Sequence, residues 1–181
     1  MKSNSLRAIC AALAFCSPVC AFAQTGGLSS LYFEGGYSNM SLTAPSSTSA
    51  STGMHRLVLG MNLHPNLAAE ETFSFNAKSD AVTRSGTPGF VKIKSITGLY
   101  LKPRITLADN KLTVFARLGY ASYQTDFTTA PYVGTGNGRS FGLGISYRLS
   151  DNFSANVDYM NYFKRNGIEV KGTTVGIGYA F

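Results

Sequence analysis

The stretch Gly172-Thr173-Thr174-Val175-Gly176-Ile177-Gly178-Tyr179-Ala180-Phe181 repeats with a period of two residues. Thr173, Val175, Ile177, Tyr179 and Phe181 share one side, and small residues fill the other. A helical period fails at every step, whereas a β-strand alternates its side chains in this way. The same alternation runs through 140–149, where Phe141, Leu143, Ile145, Tyr147 and Leu149 oppose Ser140, Gly142, Gly144, Ser146 and Arg148. It recurs in 112–121 and in 153–163, where the apolar side includes Phe153, Val157, Tyr159 and Phe163. Weaker versions stand at 29–40, 54–63, 67–76 and 90–104, which makes eight candidate strands.

The connections alternate in length. His64-Pro65-Asn66, Ala108-Asp109-Asn110 and Ser150-Asp151-Asn152 are short and rich in residues that suit tight hairpins. Between them lie longer polar stretches near 41–53, 77–89, 125–138 and 164–171, the first close to low complexity. Three short turns and four long loops are what eight up-and-down strands need when both ends of the chain lie on the short-turn side. The reading is an all-β, eight-stranded antiparallel transmembrane barrel, closed because lipid cannot satisfy an unpaired strand edge.

The competing reading is a soluble barrel or sandwich with the large apolar residues turned inward. Gly and Ser would then form its outer surface, at a high entropic cost. Turned inward, they suit the crowded lumen of an eight-stranded barrel. The outward side then carries two aromatic girdles: Tyr37, Phe75, Tyr120, Phe141 and Phe163 toward the long loops, and Tyr147, Phe153, Tyr179 and Phe181 toward the short turns.

Residues 1–23 read as a cleaved signal peptide preceding a barrel domain at 24–181. Lys2 and Arg7 precede the apolar run Ala8 to Phe15, and Ala21-Phe22-Ala23 suits cleavage before Gln24. Cys10, Cys16 and Cys20 all fall inside this segment, and Val19 and Phe15 fit a lipoprotein signal poorly. Of 16 basic residues in the chain, 14 lie beyond it against 9 acidic ones, a mild excess without the Lys/Arg blocks of a nucleic-acid binder. With only His55 and His64 as imidazoles, no metal or cofactor site is expected.

These residues resemble the small outer-membrane barrels of Gram-negative bacteria, the OmpA-like, OmpX/Ail-like and opacity-protein-like group. The likeness rests on Gly176-Ile177-Gly178-Tyr179-Ala180-Phe181, on Leu63-His64-Pro65-Asn66-Leu67-Ala68-Ala69-Glu70 and on Phe115-Ala116-Arg117-Leu118-Gly119-Tyr120-Ala121. It implies integral placement in the outer membrane with long loops extracellular, and makes Phe181 the signal read by the barrel-assembly machinery. Glu71 departs from the pattern, because parity with Phe73 and Phe75 turns it toward lipid. It either snorkels at the interface, the favoured reading, or a bulge shifts the register.

Inward parity collects Glu34, Glu70 and Asp158 with Lys102 and Arg117 at similar depth, an ion-pair plug whose members must pair because they lose their hydration. A proton path or ion site is the sharper alternative, and a general porin channel is not expected. Outward parity sets Arg139, Arg165 and Lys171 at the long-loop rim, in reach of lipopolysaccharide phosphates. Lys78, Arg84, Lys92 and Lys94 add basic character that would attract a polyanion such as heparan sulfate. No catalytic trio is expected: His55 faces outward without an acid to orient it, and His64 sits in a short turn. Gly134 to Gly138 reads as loop glycine with no helix behind it. The leading function is a non-enzymatic surface interaction protein, an adhesin or opacity-like antigen whose ligands are host surface or matrix molecules. A structural envelope barrel and a lipid A-modifying enzyme are the alternatives.

Overall fold

A computed structural model describes residues 31–43, 50–76, 80–84, 87–107, 111–127, 134–165 and 168–181. The segment read as a signal peptide and the Ala108-Asp109-Asn110 turn lie outside them. The described residues form nine strands: β1 (Leu31–Thr43), β2 (Ala50–His64), β3 (Leu67–Asn76), β4 (Asp80–Arg84), β5 (Thr87–Leu107), β6 (Leu112–Phe127), β7 (Gly134–Arg148), β8 (Phe153–Arg165) and β9 (Ile168–Ala180). All pairings are antiparallel in the order β3-β2-β1-β9-β8-β7-β6-β5-β4, and β3 also pairs with β5. That last ladder closes a ring of eight strands. β4 is a short extra strand that follows β3 along the first residues of β5, with Arg84 opposite Thr87.

The short connections share one end with the last residues of the chain. His64 pairs with Leu67 across Pro65-Asn66, and the Asn66 amide donates to His64 Nδ1. The Phe153 amide donates to Ser150 Oγ, while Asn152 Nδ2 donates to the Ala180 carbonyl at 2.8 Å. At the other end the strands run further than sequence spacing indicated. The polar stretch 164–171 is no long loop: Arg165 pairs with Ile168, so only two residues separate β8 from β9.

Outside, large apolar side chains stand exposed around the wall, among them Leu57, Leu99, Leu118, Leu143, Val157 and Ile177. On a water-soluble surface such a continuous belt would drive association, and it is the surface lipid requires. Tyr37, Phe75, Tyr120 and Phe141 edge it above, and Tyr147, Phe153, Tyr179 and Phe181 edge it below.

Phe163 does not join the upper girdle. A register shift between Asn161 and Phe163 places Tyr162 and Phe163 both inside, where the Phe163 ring meets Tyr123 edge-on with centroids 4.8 Å apart. An extra residue in one strand reverses the parity of everything beyond it. The same device between Ile93 and Ser95 buries both Ile93 and Ile96.

Past the upper girdle the polarity of the strands inverts. Met40, Leu42, Met54, Ile93, Ile96, Tyr123 and Val170 are buried inside, while Asn39, Thr97, Ser122 and Gln124 face outward. Where the outside is lipid, the polar side chains turn in. Where it is water, the apolar ones do, and the barrel acquires an ordinary hydrophobic core.

The lumenal glycines have a packing reason. Tyr32 lies over Gly60, Phe115 over Gly144, Met160 over Gly142 and Met40 over Gly172. Gly136 and Gly138, expected as loop glycine, are strand residues of β7 that lie beneath Tyr123 and Phe163. Each inward ring or thioether occupies the volume a Cβ on the neighbouring strand would take. Gly60→Val should therefore push Tyr32 off its seat and destabilise the refolded barrel by about 1–3 kcal/mol, the usual penalty of overpacking. Urea unfolding in micelles measures it; an unchanged midpoint would mean that the ring is free to move.

Candidate functional site

Six charged side chains from six strands meet across the lumen below the apolar core. Arg117 of β6 stands at their centre and is fully buried. Its Nη1 donates to Asp158 Oδ2 at 2.6 Å, its Nη2 to Glu34 Oε2 at 2.7 Å, and its Nε to Glu70 Oε2. Lys102 Nζ lies 2.7 Å from Glu34 Oε1 and 2.8 Å from Glu70 Oε1. Arg56 grips Asp158 with both terminal guanidinium nitrogens, and its Nη1 reaches the Tyr162 hydroxyl at 3.2 Å. The Tyr32 hydroxyl donates to Glu70 Oε1 at 2.6 Å.

The layer is electrically neutral, three carboxylates against three cations. Each ion has lost its water, and several charge-assisted bonds per group replace that hydration. Rings cover what remains: Lys102 Nζ lies 4.3 Å from the Phe115 ring centre and 5.0 Å from that of Tyr32. β7 and β9 contribute glycines at this level, Gly144 beside Asp158 and Gly178 beside Glu34, leaving room for long side chains from the other six strands.

Glu34, Glu70, Lys102, Arg117 and Asp158 are thus brought together. Arg56 belongs with them and was missed, although two signals were present. His55 and Leu57 on either side of it point outward, and three acids against two bases left one charge unmatched. Tyr32 and Tyr162 were also unassigned, since parity places a hydroxyl inside without saying whom it meets.

The rim residues are not brought together. Arg139 is exposed within β7, opposite Tyr120 of the upper girdle. Lys171 is partly exposed and lies 3.3 Å from Glu169 Oε2. The Arg165 backbone ends β8, and its side chain lies outside the described residues, as do those of Lys78, Arg84 and Lys92. Lys94 is exposed. Glu71 faces outward, and β3 pairs through it without a register shift, which excludes the bulge. It stands midway along the outward row Leu67, Ala69, Glu71, Phe73, Phe75.

His55 lies on the outer wall between Tyr37 and Phe75, with ring centres 5.8 and 5.6 Å away. His64 accepts from the Asn66 amide in its turn. Among the described residues, no hydrogen bond or ion pair joins either imidazole to a carboxylate, and no group of side chains could hold a metal ion. Along the barrel axis an ionic layer and an apolar core succeed each other.

A family model described as the outer membrane protein beta-barrel domain matches residues 8–181. The chain belongs to that family. It is accordingly an integral protein of the Gram-negative outer membrane, and the apolar belt is its lipid-facing wall. Among curated proteins no match is found. Solved outer-membrane barrels share the fold at low identity. Neisserial surface protein A matches with a TM-score of 0.62 and 14% identity, covering 84% of this chain and 98% of its own. Ail, the attachment invasion locus protein of Yersinia pestis, in complex with the heparin analogue sucrose octasulfate, matches with a TM-score of 0.61 and 13% identity over 83% of this chain and 97% of that one. OprG of Pseudomonas aeruginosa gives 0.58 and 14% over 83% and 95%.

Proposed function

We propose that this barrel is a surface interaction protein, without enzymatic activity, that binds sulfated or otherwise polyanionic host glycans through its long-loop end. The polarity inversion above the upper girdle carries the reading. From the Tyr37–His55 pair the β1–β2 ladder continues through five further pairs to Leu42–Ala50, and the β5–β6 ladder runs on to Val91–Phe127. A barrel built only to span lipid has no use for this walled extension into water. One that presents loops to a partner gains a rigid platform, which lowers the ordering cost of binding. Lys94 and Arg139 are exposed toward this end, and a basic rim raises the local concentration of a polyanion. The heparin analogue bound by Ail, which shares the fold, supports the ligand class. Closer to the membrane, we assign Arg139, Arg165 and Lys171 to the phosphates of lipopolysaccharide.

Refolded protein should bind immobilised heparin in a salt-dependent way. Lys94→Gln together with Arg139→Gln, the two exposed cations named above, should abolish binding and leave the fold intact. Retained binding by the double variant would overturn the reading, and no binding by either form would favour a structural envelope barrel.

A further inference from the structure

Among the described residues, a cavity of about 240 Å³ lies below the ionic layer at the short-turn end of the lumen, lined by residues of seven strands and one turn. Its roof is the Lys102–Glu34 ion pair. Its wall carries two further cations, Arg104 and Arg148, on strands β5 and β7 that flank β6. Lys102 is already neutralised by Glu34 and Glu70. Arg104 spends its Nε on the Pro65 carbonyl, while Arg148 has no side-chain partner among the described residues.

Asn62 lines the cavity with a buried carbonyl oxygen that has no partner; as an acceptor it opposes an anion on its side of the wall. Asn156, beside the lining Gly178, is 3% exposed, and its amide nitrogen has no acceptor. That nitrogen and Ser154 Oγ lie 3.1 and 2.7 Å from where a Cβ on Gly178 would sit, so they fill the space beside that glycine. Thr113, Ser146 and Ser154 add hydroxyl donors to the wall.

From this geometry we infer that the periplasmic mouth of the lumen is a binding cup for a small phosphate-bearing anion, held by Arg104 and Arg148 at the wall with the hydroxyls of Thr113 and Ser146 beside them. The volume suits inorganic phosphate or a phosphomonoester of a few carbons, and excludes a polymer. Asp151 also lines the cup and opposes an anion near its rim, so its carboxylate limits affinity. The cup lies at the opposite end of the barrel from the proposed glycan surface, and does not rest on that reading.

Titration of the refolded barrel in micelles with inorganic phosphate, followed by the backbone amide resonances of Ser146, Ser150 and Gly178, tests it. Those resonances should shift and saturate. Arg148→Gln should weaken binding about tenfold, one charge-assisted hydrogen bond. Asp151→Asn should tighten it, and Lys164→Gln, exposed at the far end of β8, should leave it unchanged. Glycerol 3-phosphate in place of phosphate separates the sources: tighter binding marks a phosphate carried on a small molecule, and equal binding marks free phosphate. Shifts that never saturate, or an equal loss with Arg148→Gln and Lys164→Gln, would overturn the cup. So would a loss of affinity with Asp151→Asn.

Discussion

Arg117→Ala should lower the unfolding free energy of the barrel by about 3–5 kcal/mol, the cost of leaving buried charge without its partner. The size follows from how the ionic layer is wired. Arg117 is the one cation that touches all three carboxylates. Without it Glu34 and Glu70 share Lys102, Asp158 keeps Arg56, and the layer carries an uncompensated negative charge. Water from the cup below reaches only as far as the Lys102–Glu34 pair, because Arg117 has no exposed surface and Met160, Tyr162 and Tyr100 close the lumen above it. Adding Glu70→Gln should return part of the loss, since neutrality is restored while the Tyr32 hydroxyl keeps an acceptor. Urea unfolding of the two single variants and the double variant gives the coupling. Strict additivity would mean that the six groups are solvated and act independently.

Deleting Phe181 should reduce the amount of protein in the outer membrane severalfold while barely moving the stability of refolded material. In the barrel Phe181 is a girdle residue, exposed and stacked edge-on against Tyr179 with centroids 5.2 Å apart. Tyr179 keeps its second aromatic neighbour, Phe153, at 5.1 Å. Loss of one such contact is worth about 0.5–1.5 kcal/mol. If the terminal aromatic is also the signal read by the barrel-assembly machinery, delivery suffers far more than folding. Surface labelling in cells and urea unfolding in micelles separate the two; matching losses would reduce Phe181 to a packing residue.

The wall of this barrel was legible in the sequence and its interior only partly. Period two identifies every spanning strand, because a strand between lipid and lumen must alternate. Gly176-Ile177-Gly178-Tyr179 could be read without a partner for this reason. Parity also placed Glu34, Glu70 and Arg117 inside, but it gives no distances, so the pairing of Arg56 with Asp158 was invisible. Parity fails where a strand takes on an extra residue, and nothing in Asn161-Tyr162-Phe163 announces that both rings turn inward. The larger omission is the apolar upper lumen. Met40, Leu42 and Val170 belong to segments read as polar connections or their edges. The rule of small and polar inside holds only where lipid is outside. Once a strand rises into water the rule reverses, and composition alone does not mark the crossing.

The central claim is that the strands cross the outer membrane with the inverted, glycan-binding end outside and the short turns inside. Single cysteines test it directly, and cysteines introduced at Thr135 and at Asp151 stand at opposite ends of the barrel. Thr135 is exposed near the start of β7, and Asp151 sits exposed in the β7–β8 turn. In intact cells a membrane-impermeant maleimide should label Thr135→Cys and spare Asp151→Cys, which should react only after the outer membrane is permeabilised. Labelling of Asp151→Cys in intact cells, with Thr135→Cys protected, would contradict the orientation and the function built on it.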